Sequence, residues 1–254
     1  MKKLLLILLC LPMIGFGQNV SIPDTNFKAY LVGNTAINTN GDAEIQVSEA
    51  NVFNGAINCT NMNIADLTGI EGFTALTSLN CRFNQLTSLD VSQNTALTDL
   101  QCGNNQLTSL DVSQNTALIA LSCWYNQITN LDLSNNSSLN YFNIGENPLT
   151  CLNIANGNSL NFSDCAVFNT PNLYCLEVDD YTNVVGINTP DPQTYYSNNC
   201  NNACSSVPSS VQEHLTNKEL LKVTDLLGRE TKQTNQPLFY IYDDGTVEKR
   251  IVIE

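Results

Sequence analysis

NQLTSLDVSQNTA occupies residues 84–96 of this chain, and the same thirteen letters return at residues 105–117. Leucines recur around them at every twenty-first position: Leu76, Leu97, Leu118, Leu139 and Leu160. A fixed period of this length builds one short strand and one return segment per turn, and neighbouring turns must stack to bury their apolar sides. The sequence therefore predicts a repeat solenoid whose function lies on its surface.

Alternation within each repeat predicts which side chains form the core. In the repeat that begins at Leu76, Leu79 and Cys81 point inward, whereas their neighbours point outward. The Cys81 column also contains Cys59, Cys102, Cys123 and then Ile144. Because a metal or catalytic column would not accept isoleucine, we interpret this column as a ladder of small buried apolar side chains. The alternatives are a metal stack or a chain of disulfides.

Polar residues also form columns in the repeats. Asparagines at one position can bond the backbone of their own and adjacent turns, which predicts a structural role; they are Asn84, Asn105, Asn126 and Asn147. Asp90, Asp111 and Asp132 stack on the return segment, and we expect these acids to remain solvated rather than bind cations.

These features resemble the leucine-rich repeat family, in the short Cys-containing form of bacterial secreted and surface proteins. The resemblance covers Ile57 to Val178. It implies a short leucine-rich-repeat array at residues 55–178 with a parallel, concave β-sheet. Little helix is expected outside an N-terminal helical cap. In relatives, the concave face commonly binds proteins or other macromolecules.

A comparison of the repeats separates a constant scaffold from a variable face. The outward strand positions, and the residues that follow them, differ at every turn. Aromatic rings and arginine on a rigid sheet are typical of a binding hot spot for a protein or for sugar rings. The alternative is that isolated aromatics only cover the strand edges. The candidate ligand-binding residues are Arg82, Phe83, Asp99, Gln101, Trp124, Tyr125, Tyr141 and Asn143.

The N-terminus has the pattern of a secretory signal. Two lysines precede the apolar run Leu4 to Phe16, which is too short to span a bilayer, and small residues precede Gln18. We expect residues 1–17 to be a signal peptide. Lipidation at Cys10 is the alternative, but Leu9 is bulky for the position before a lipidated cysteine.

Residues 18–54 are expected to form a helical cap that contains a loop similar to the calcium loops of EF-hands and dockerins. The resemblance implies oxygen ligands from Asn38, Asn40, Asp42, Glu44 through its carbonyl, and Glu49. The loop departs from the pattern at Ala43, where a glycine normally makes the sharp turn. Calcium is the one cofactor that the sequence suggests, and a metal-free cap is the alternative.

The cysteines after the repeats suggest a disulfide-bonded cap at residues 179–204. Four cysteines cluster in and before this segment of an exported chain, which is a setting that permits disulfides; they are Cys165, Cys175, Cys200 and Cys204. We expect Cys175 to pair with Cys200. The mature chain would have nine cysteines, so at least one stays free or pairs externally.

The C-terminal segment changes character. A polar linker at residues 205–216 leads to alternating β-forming residues around an Asp-Asp-Gly turn, which predict a small hairpin module at 217–254. This module resembles the sorting domain of the type IX secretion system at Asp225–Arg229, Leu238–Tyr242 and Lys249–Ile253, and departs from it at Pro237 and Glu254. The resemblance implies the type IX machinery as a partner, and release from, or attachment to, the outer surface of a Gram-negative bacterium. The alternative is an ordinary terminal hairpin.

Charge and composition restrict the function. Without Lys2 and Lys3, the mature chain has a formal charge of 8 − 24 = −16, which would repel nucleic acids. The only histidine, His214, lies outside the repeats, so few residues could form a histidine-based catalytic site. We expect a non-catalytic secreted or cell-surface protein that binds a protein or glycan ligand, without a transmembrane span. The alternative is a structural component of an outer-surface layer.

Overall fold

The computed structural model describes residues 18–158, 161–188 and 190–200, and the backbone of three strands within 220–251. The expected signal peptide at 1–17 and linker at 205–216 lie outside the described residues. The chain divides into two compact units, residues 1–207 and 208–254. The first unit is a parallel-strand solenoid of about seven turns with little helix.

Two parallel sheets run along the solenoid. The seven strands of the first sheet follow one another turn by turn; they are β1 (Ala56–Asn58), β2 (Ser78–Asn80), β3 (Asp99–Gln101), β4 (Ala120–Ser122), β6 (Tyr141–Asn143), β8 (Cys165–Ala166) and β10 (Ile187–Asn188). The second sheet lies on the return side of the later turns and contains β5 (Asn130–Asp132), β7 (Cys151–Asn153), β9 (Cys175–Glu177) and β11 (Tyr195–Ser197).

The constant period sets the register of the first sheet. Leu79 lies opposite Leu100, and Leu100 lies opposite Leu121, so each strand pairs with the strand of the next repeat without a shift. Their side chains are fully buried, as are the four thiols of the cysteine ladder: Cys59, Cys81, Cys102 and Cys123. Since outward strand neighbours are exposed or half-buried in most turns, inward and outward positions separate as the alternation predicted.

A ladder of asparagines joins consecutive turns. The Nδ2 atom of Asn105 donates to the carbonyls of Cys81 (3.1 Å) and Cys102 (3.0 Å), while its Oδ1 atom accepts from the backbone N–H of Leu86 (3.1 Å). Three other asparagines make the same type of contact: Asn84, Asn126 and Asn147. Backbone groups that the bend would leave unpaired are therefore satisfied by neutral amides.

The return side has its own asparagine column, and it is fully buried. Asn115 donates through Nδ2 to the carbonyls of Val91 (2.9 Å) and Asn94 (3.0 Å) in the preceding turn. Asn94 and Asn136 make equivalent bonds. Asp90 and Asp111 are exposed there and accept from the backbone two residues ahead, which fits a turn-forming role.

The N-terminal cap covers the first turn with two helices, α1 (Thr25–Gly33) and α2 (Val47–Ala50). Asp24 caps α1 by accepting from the N–H groups of Asn26 and Phe27, and its second oxygen accepts from Ala65 at 2.8 Å. Phe27 and Leu31 are fully buried. The same carboxylate therefore starts the helix and fastens it to the repeats.

The solenoid continues beyond Val178, where the sequence suggested that the repeats end. Strands β10 and β11 lie within residues 179–204, and they pair in parallel with β8 and β9. The steps between turns are irregular here: Asn143 pairs with Ala166, twenty-three positions on, and Cys165 pairs with Ile187, twenty-two positions on. The leucine spacing is lost, so a cap was expected where further turns form.

The second unit contains a three-stranded antiparallel sheet of β12 (Leu220–Thr224), β13 (Pro237–Tyr242) and β14 (Val247–Ile251). Strand β13 is central, and it pairs with β14 in the hairpin that the sequence predicted.

Candidate ligand-binding face

Aromatic rings from different turns meet at the ends of the first-sheet strands. Phe83 follows β2 and Trp124 follows β4, yet their ring centroids lie 5.9 Å apart in an edge-to-face arrangement. Tyr125 packs against Trp124 at 6.2 Å. Phe83 and Tyr125 are 42% and 55% exposed, so these rings form a surface rather than a core. With Phe168, which holds the Trp124 position two turns later, we call them the aromatic strip.

Glycines in the intervening turns make room for the strip. A Cβ atom on Gly103 would lie 2.6 Å from Nε1 of Trp124, and one on Gly145 would lie 3.0 Å from the ring of Phe168. Each bulky ring therefore lies over a glycine of the preceding turn. The column alternates large and small residues: Arg82, Gly103, Trp124, Gly145 and Phe168.

The backbone supports the strip in a conformation that is unfavourable for aromatic residues. Phe83 and Tyr125 have φ values of 57° and 54°, in the left-handed region, where Asn104 occupies the turn between them. Asparagine tolerates this region far better than bulky residues, and such strain costs roughly 1–3 kcal/mol per residue. Aromatic side chains therefore stand at two positions where another residue would make the same bend with less strain.

Polar side chains on β2 and β3 are held in fixed positions beside the strip. Both carboxylate oxygens of Asp99 accept from Nε2 of Gln101, at 3.2 and 3.0 Å, and one also accepts from the hydroxyl of Ser78. Nε of Arg82 donates to Oδ1 of Asn80 at 3.2 Å. The outward face thus has oriented hydrogen-bonding groups next to the rings.

The eight residues selected from the sequence fall into three groups. The structure brings Phe83, Trp124 and Tyr125 into ring contact, and it joins Asp99 to Gln101 by hydrogen bonds. The other three selected residues are Arg82, which lies next to Phe83, and Tyr141 and Asn143, which lie on β6 of the same sheet.

Sequence reasoning missed Phe168 and the two glycines. Aligning Val167-Phe168-Asn169 with Cys123-Trp124-Tyr125 would have revealed Phe168, but the irregular step between Asn143 and Ala166 concealed that register. The space that Gly103 and Gly145 provide has no signal in a single sequence.

The expected calcium ligands form a compact loop that is closed by its own hydrogen bonds. Oε1 of Glu49 accepts from the N–H and hydroxyl of Thr39 and from the N–H of Asn40, while Oε2 accepts from Gln46. The Asn38 side chain bonds Gly41 and the Asp42 carbonyl. The side-chain oxygens of Asn38, Asn40, Asp42 and Glu49 thus already accept hydrogen bonds within the loop.

The charges of the loop residues are also compensated. Burial alone would raise the pKa of Glu49, but the hydrogen bonds from Gln46, Thr39 and Asn40 together lower it. Glu44 pairs with Lys28 at 2.7 Å. Within the described residues, no group of three or more histidine, cysteine, aspartate or glutamate side chains could hold a metal ion.

The four thiols of the cysteine ladder have low reactivity because they are buried. Burial raises the pKa of Cys59 and of Cys102 to about 12, and it raises the pKa of Cys81 and Cys123 well above the ordinary value. Such thiols stay protonated at neutral pH, so they are neither nucleophiles nor ready metal ligands. The structure contains a disulfide between Cys175 and Cys200, and Cys151 is disulfide-bonded as well.

No helix among the described residues has the length and apolar character that a membrane crossing requires.

Comparison with known proteins identifies similar repeats. No protein-family model matches the chain. Internalin J of Listeria monocytogenes is 54% identical over 39 residues, which are 15% of this chain and 4% of that protein. The solved functional domain of internalin J from the same organism, which includes a cysteine ladder, is 36% identical with a TM-score of 0.52, and the match covers 63% of this chain and 38% of that chain.

A second solved structure, the internalin InlF of Listeria monocytogenes, is 20% identical with a TM-score of 0.44, over 66% of this chain and 55% of that one. The chain matches less than two thirds of the length of each of these proteins. The first unit nevertheless has the leucine-rich-repeat fold of internalin type, and its cysteine column has a counterpart in the domain of internalin J.

Proposed function

From the premise that the first unit is an internalin-like leucine-rich repeat solenoid, we propose that this chain is a non-catalytic recognition protein. It binds a protein or glycan ligand through the outward face of the first sheet, with the aromatic strip at the centre of contact. The observation that carries the proposal is the packing of Trp124 over Gly103 onto Phe83.

Three properties of the strip support this function. Three of its four rings are exposed and Trp124 is half-buried, although a folded protein usually covers large apolar groups. They are fixed on a rigid ladder of hydrogen-bonded turns, so binding them costs little conformational entropy. Two of them occupy left-handed backbone positions, and strain of this kind concentrates at functional sites.

The residue chemistry supports a binding role rather than catalysis. The thiols of the ladder are buried with raised pKa values, and the strip contains no pair of nucleophile and base. The carboxylate of Asp99 is engaged by Ser78 and Gln101 on the sheet. These groups orient a ligand but have no means of activating one.

The two ends of the sequence support export. Residues 1–17 act as a signal peptide, and residues 217–254 engage the type IX secretion machinery, so the mature protein is released from, or held at, the outer surface of a Gram-negative cell. The similar proteins come from Listeria monocytogenes, which is Gram-positive, so this route rests on the resemblance of the C-terminal module alone.

The proposal is tested with the mature chain from Gln18 and the triple variant Arg82→Ala, Trp124→Ala and Tyr125→Ala. Binding is measured on a glycan array and with a panel of purified surface proteins. The control is Tyr174→Ala with Tyr195→Ala, which removes two rings that are 61% and 59% exposed outside the strip.

We expect the triple variant to lose a ligand that the control retains, since hot-spot truncations commonly cost 2 kcal/mol or more, about thirtyfold in affinity. Equal binding by both variants would refute the role of this face. Loss of surface assembly without loss of a ligand would instead favour a structural component of an outer layer.

A further inference from the structure

We infer that the ligand of the aromatic strip is a basic protein segment that presents lysine or arginine side chains to the strip. This inference rests on the proposed function, because it names the class of ligand for the same face. It follows from the distribution of charge in the first unit together with the position of acidic groups beside the rings.

Nearly all of the negative charge of the mature chain lies in the solenoid segment. Between Gln18 and Cys200 there are 16 acidic residues and only two basic ones, Lys28 and Arg82, which gives a formal charge of −14. Residues 201–254 have six basic and eight acidic residues, a charge of −2. Since Lys28 is paired with Glu44, Arg82 is the only other cation of the segment 18–200. A field of this size attracts cations and repels acidic partners.

Acidic side chains lie on the same outward face as the rings. Glu146 follows Gly145 and occupies the same left-handed position as Tyr125, one turn further along. The two turns are directly hydrogen-bonded, because the N–H of Tyr125 donates to the carbonyl of Gly145 at 3.1 Å. Asp99 lies on β3 in the turn between those of Phe83 and Trp124, four residues before Gly103, and is held in place by Gln101. The outward face therefore has one carboxylate in the turn after Tyr125 and a second one further along β3.

Basic side chains fit this combination in two ways at once. Their methylene groups pack on aromatic surface, and their charge interacts favourably with the ring face, by about 0.5–2 kcal/mol. Glu146 and Asp99 then accept hydrogen bonds from the cationic group. A neutral sugar would stack on the rings and donate hydroxyl hydrogen bonds to the carboxylates, but the long-range attraction of the acidic field would not contribute to its binding.

Arg82 places a positive charge at one end of the aromatic strip. Arg82 lies beside Phe83 at one end of the strip, where its guanidinium is anchored to Asn80. Glu146 lies on the other side of Trp124, in the turn between those of Tyr125 and Phe168. The lysine or arginine of the partner therefore belongs beside Tyr125 and Glu146, away from Arg82.

The experiment uses the mature chain and three labelled probes, an eight-residue peptide of alternating lysine and threonine, its glutamate counterpart, and cellohexaose. We expect binding of the lysine peptide alone, and a weakening of about tenfold between 50 and 200 mM salt, as for other charge-steered associations.

Two double variants remove the same charge from different faces. Asp99→Asn with Glu146→Gln changes the strip, and Asp90→Asn with Asp111→Asn changes the exposed return segment. We expect the first variant to weaken binding of the lysine peptide at least fivefold and the second less than twofold. Equal effects would show that net charge alone attracts the peptide, and would overturn the inference.

The outcomes separate this inference from the proposed function. A neutral glycan or an acidic protein that binds in a Trp124-dependent manner would overturn the inference and leave the proposed function intact. If the binding of every ligand is independent of the strip, both the inference and the proposed function are wrong.

Discussion

The middle turns and the two ends of the solenoid are held together by different chemistry. In the turns between Leu76 and Asn147, neutral asparagine amides join each turn to the next. At the ends, carboxylates also join turns, since Asp24 accepts from Ala65, and Asp191 accepts from Asn169 and Thr170. An amide keeps its hydrogen-bonding capacity at every pH, whereas a carboxylate loses part of it on protonation. We therefore expect acid to destabilise the two ends of the solenoid more than its middle turns.

The largest expected effect is loss of a middle asparagine. Asn126→Ala removes bonds to Leu107, Cys102 and Cys123 in a buried site, and the unsatisfied groups should lower the free energy of unfolding by roughly 3 kcal/mol. Urea denaturation measures this change. The control Gln127→Ala, at an exposed neighbouring position, should change it by less than about 0.5 kcal/mol. Similar effects of both substitutions would show that the asparagine ladder is dispensable.

The disulfide should matter only at the C-terminal end. Replacing Cys175 and Cys200 by alanine opens a loop with a sequence separation of 25, which we expect to destabilise the last turns by roughly 3 kcal/mol. Hydrogen exchange should become faster in β9 and β11 and stay unchanged in β3. Faster exchange throughout the solenoid would mean that the ends and the middle unfold as one unit.

Acid should loosen the N-terminal cap before the middle turns. Burial alone would raise the pKa of Asp24, but backbone donors led by Phe27 together lower it, and the pKa of Glu49 is lowered as well. Both carboxylates therefore stabilise the fold above their unfolded pKa values near 4, and this stability is lost as the pH falls through the lower folded values.

The measurement is the midpoint of urea denaturation between pH 6 and pH 2.5, monitored at the cap by hydrogen exchange. The variant Asp24→Asn with Glu49→Gln should start less stable and show a smaller dependence on pH. An unchanged dependence would assign the acid sensitivity to other groups.

A smaller effect is expected at the strip. Gly103→Ala places a Cβ atom where Trp124 now lies, so the ring must move away from Phe83. Because Trp124 is the only tryptophan, its fluorescence reports the change directly. We expect an altered emission maximum and weaker ligand binding, with a stability loss of about 1 kcal/mol. An unaltered spectrum would mean that the glycine is not needed.

The smallest expected effect is that of calcium on the N-terminal loop. Glu49 already accepts from Thr39, Asn40 and Gln46, so a cation would have to displace these donors. Isothermal titration of the mature chain should give no heat above that of buffer. A saturable heat that Glu49→Gln abolishes would establish the calcium site that the sequence suggests.

Much of the scaffold could be predicted because its period is strict. The constant spacing placed Leu79, Leu100 and Leu121 in one column, and one isoleucine, Ile144, was enough to interpret the cysteines as core. Beyond Asn143 the steps become longer and unequal, so β10, β11 and the register of Phe168 were not predicted. The second sheet was missed although Leu131, Leu152 and Leu176 form its buried column. Leu89 and Leu110 hold the same repeat position in turns where no second strand forms, so the leucine pattern alone does not predict these strands.

The candidate site was predicted in part. Variation among the repeats selected Phe83, Trp124 and Tyr125, and alternation placed them on the outward side. Their mutual contact depends on Gly103, which lies in a different turn and matters only because stacking brings it beneath the indole.

The sequence by itself determined the solenoid, its register and its buried columns, because a repeated pattern of apolar residues has only one way to bury every copy in stacked turns. Tertiary structure alone decided which side chains meet across turns. It joined Trp124 to Phe83 over a glycine, engaged Glu49 with backbone donors, and extended the ladder through irregular turns. These contacts depend on distances between turns in space, and a linear pattern does not contain those distances.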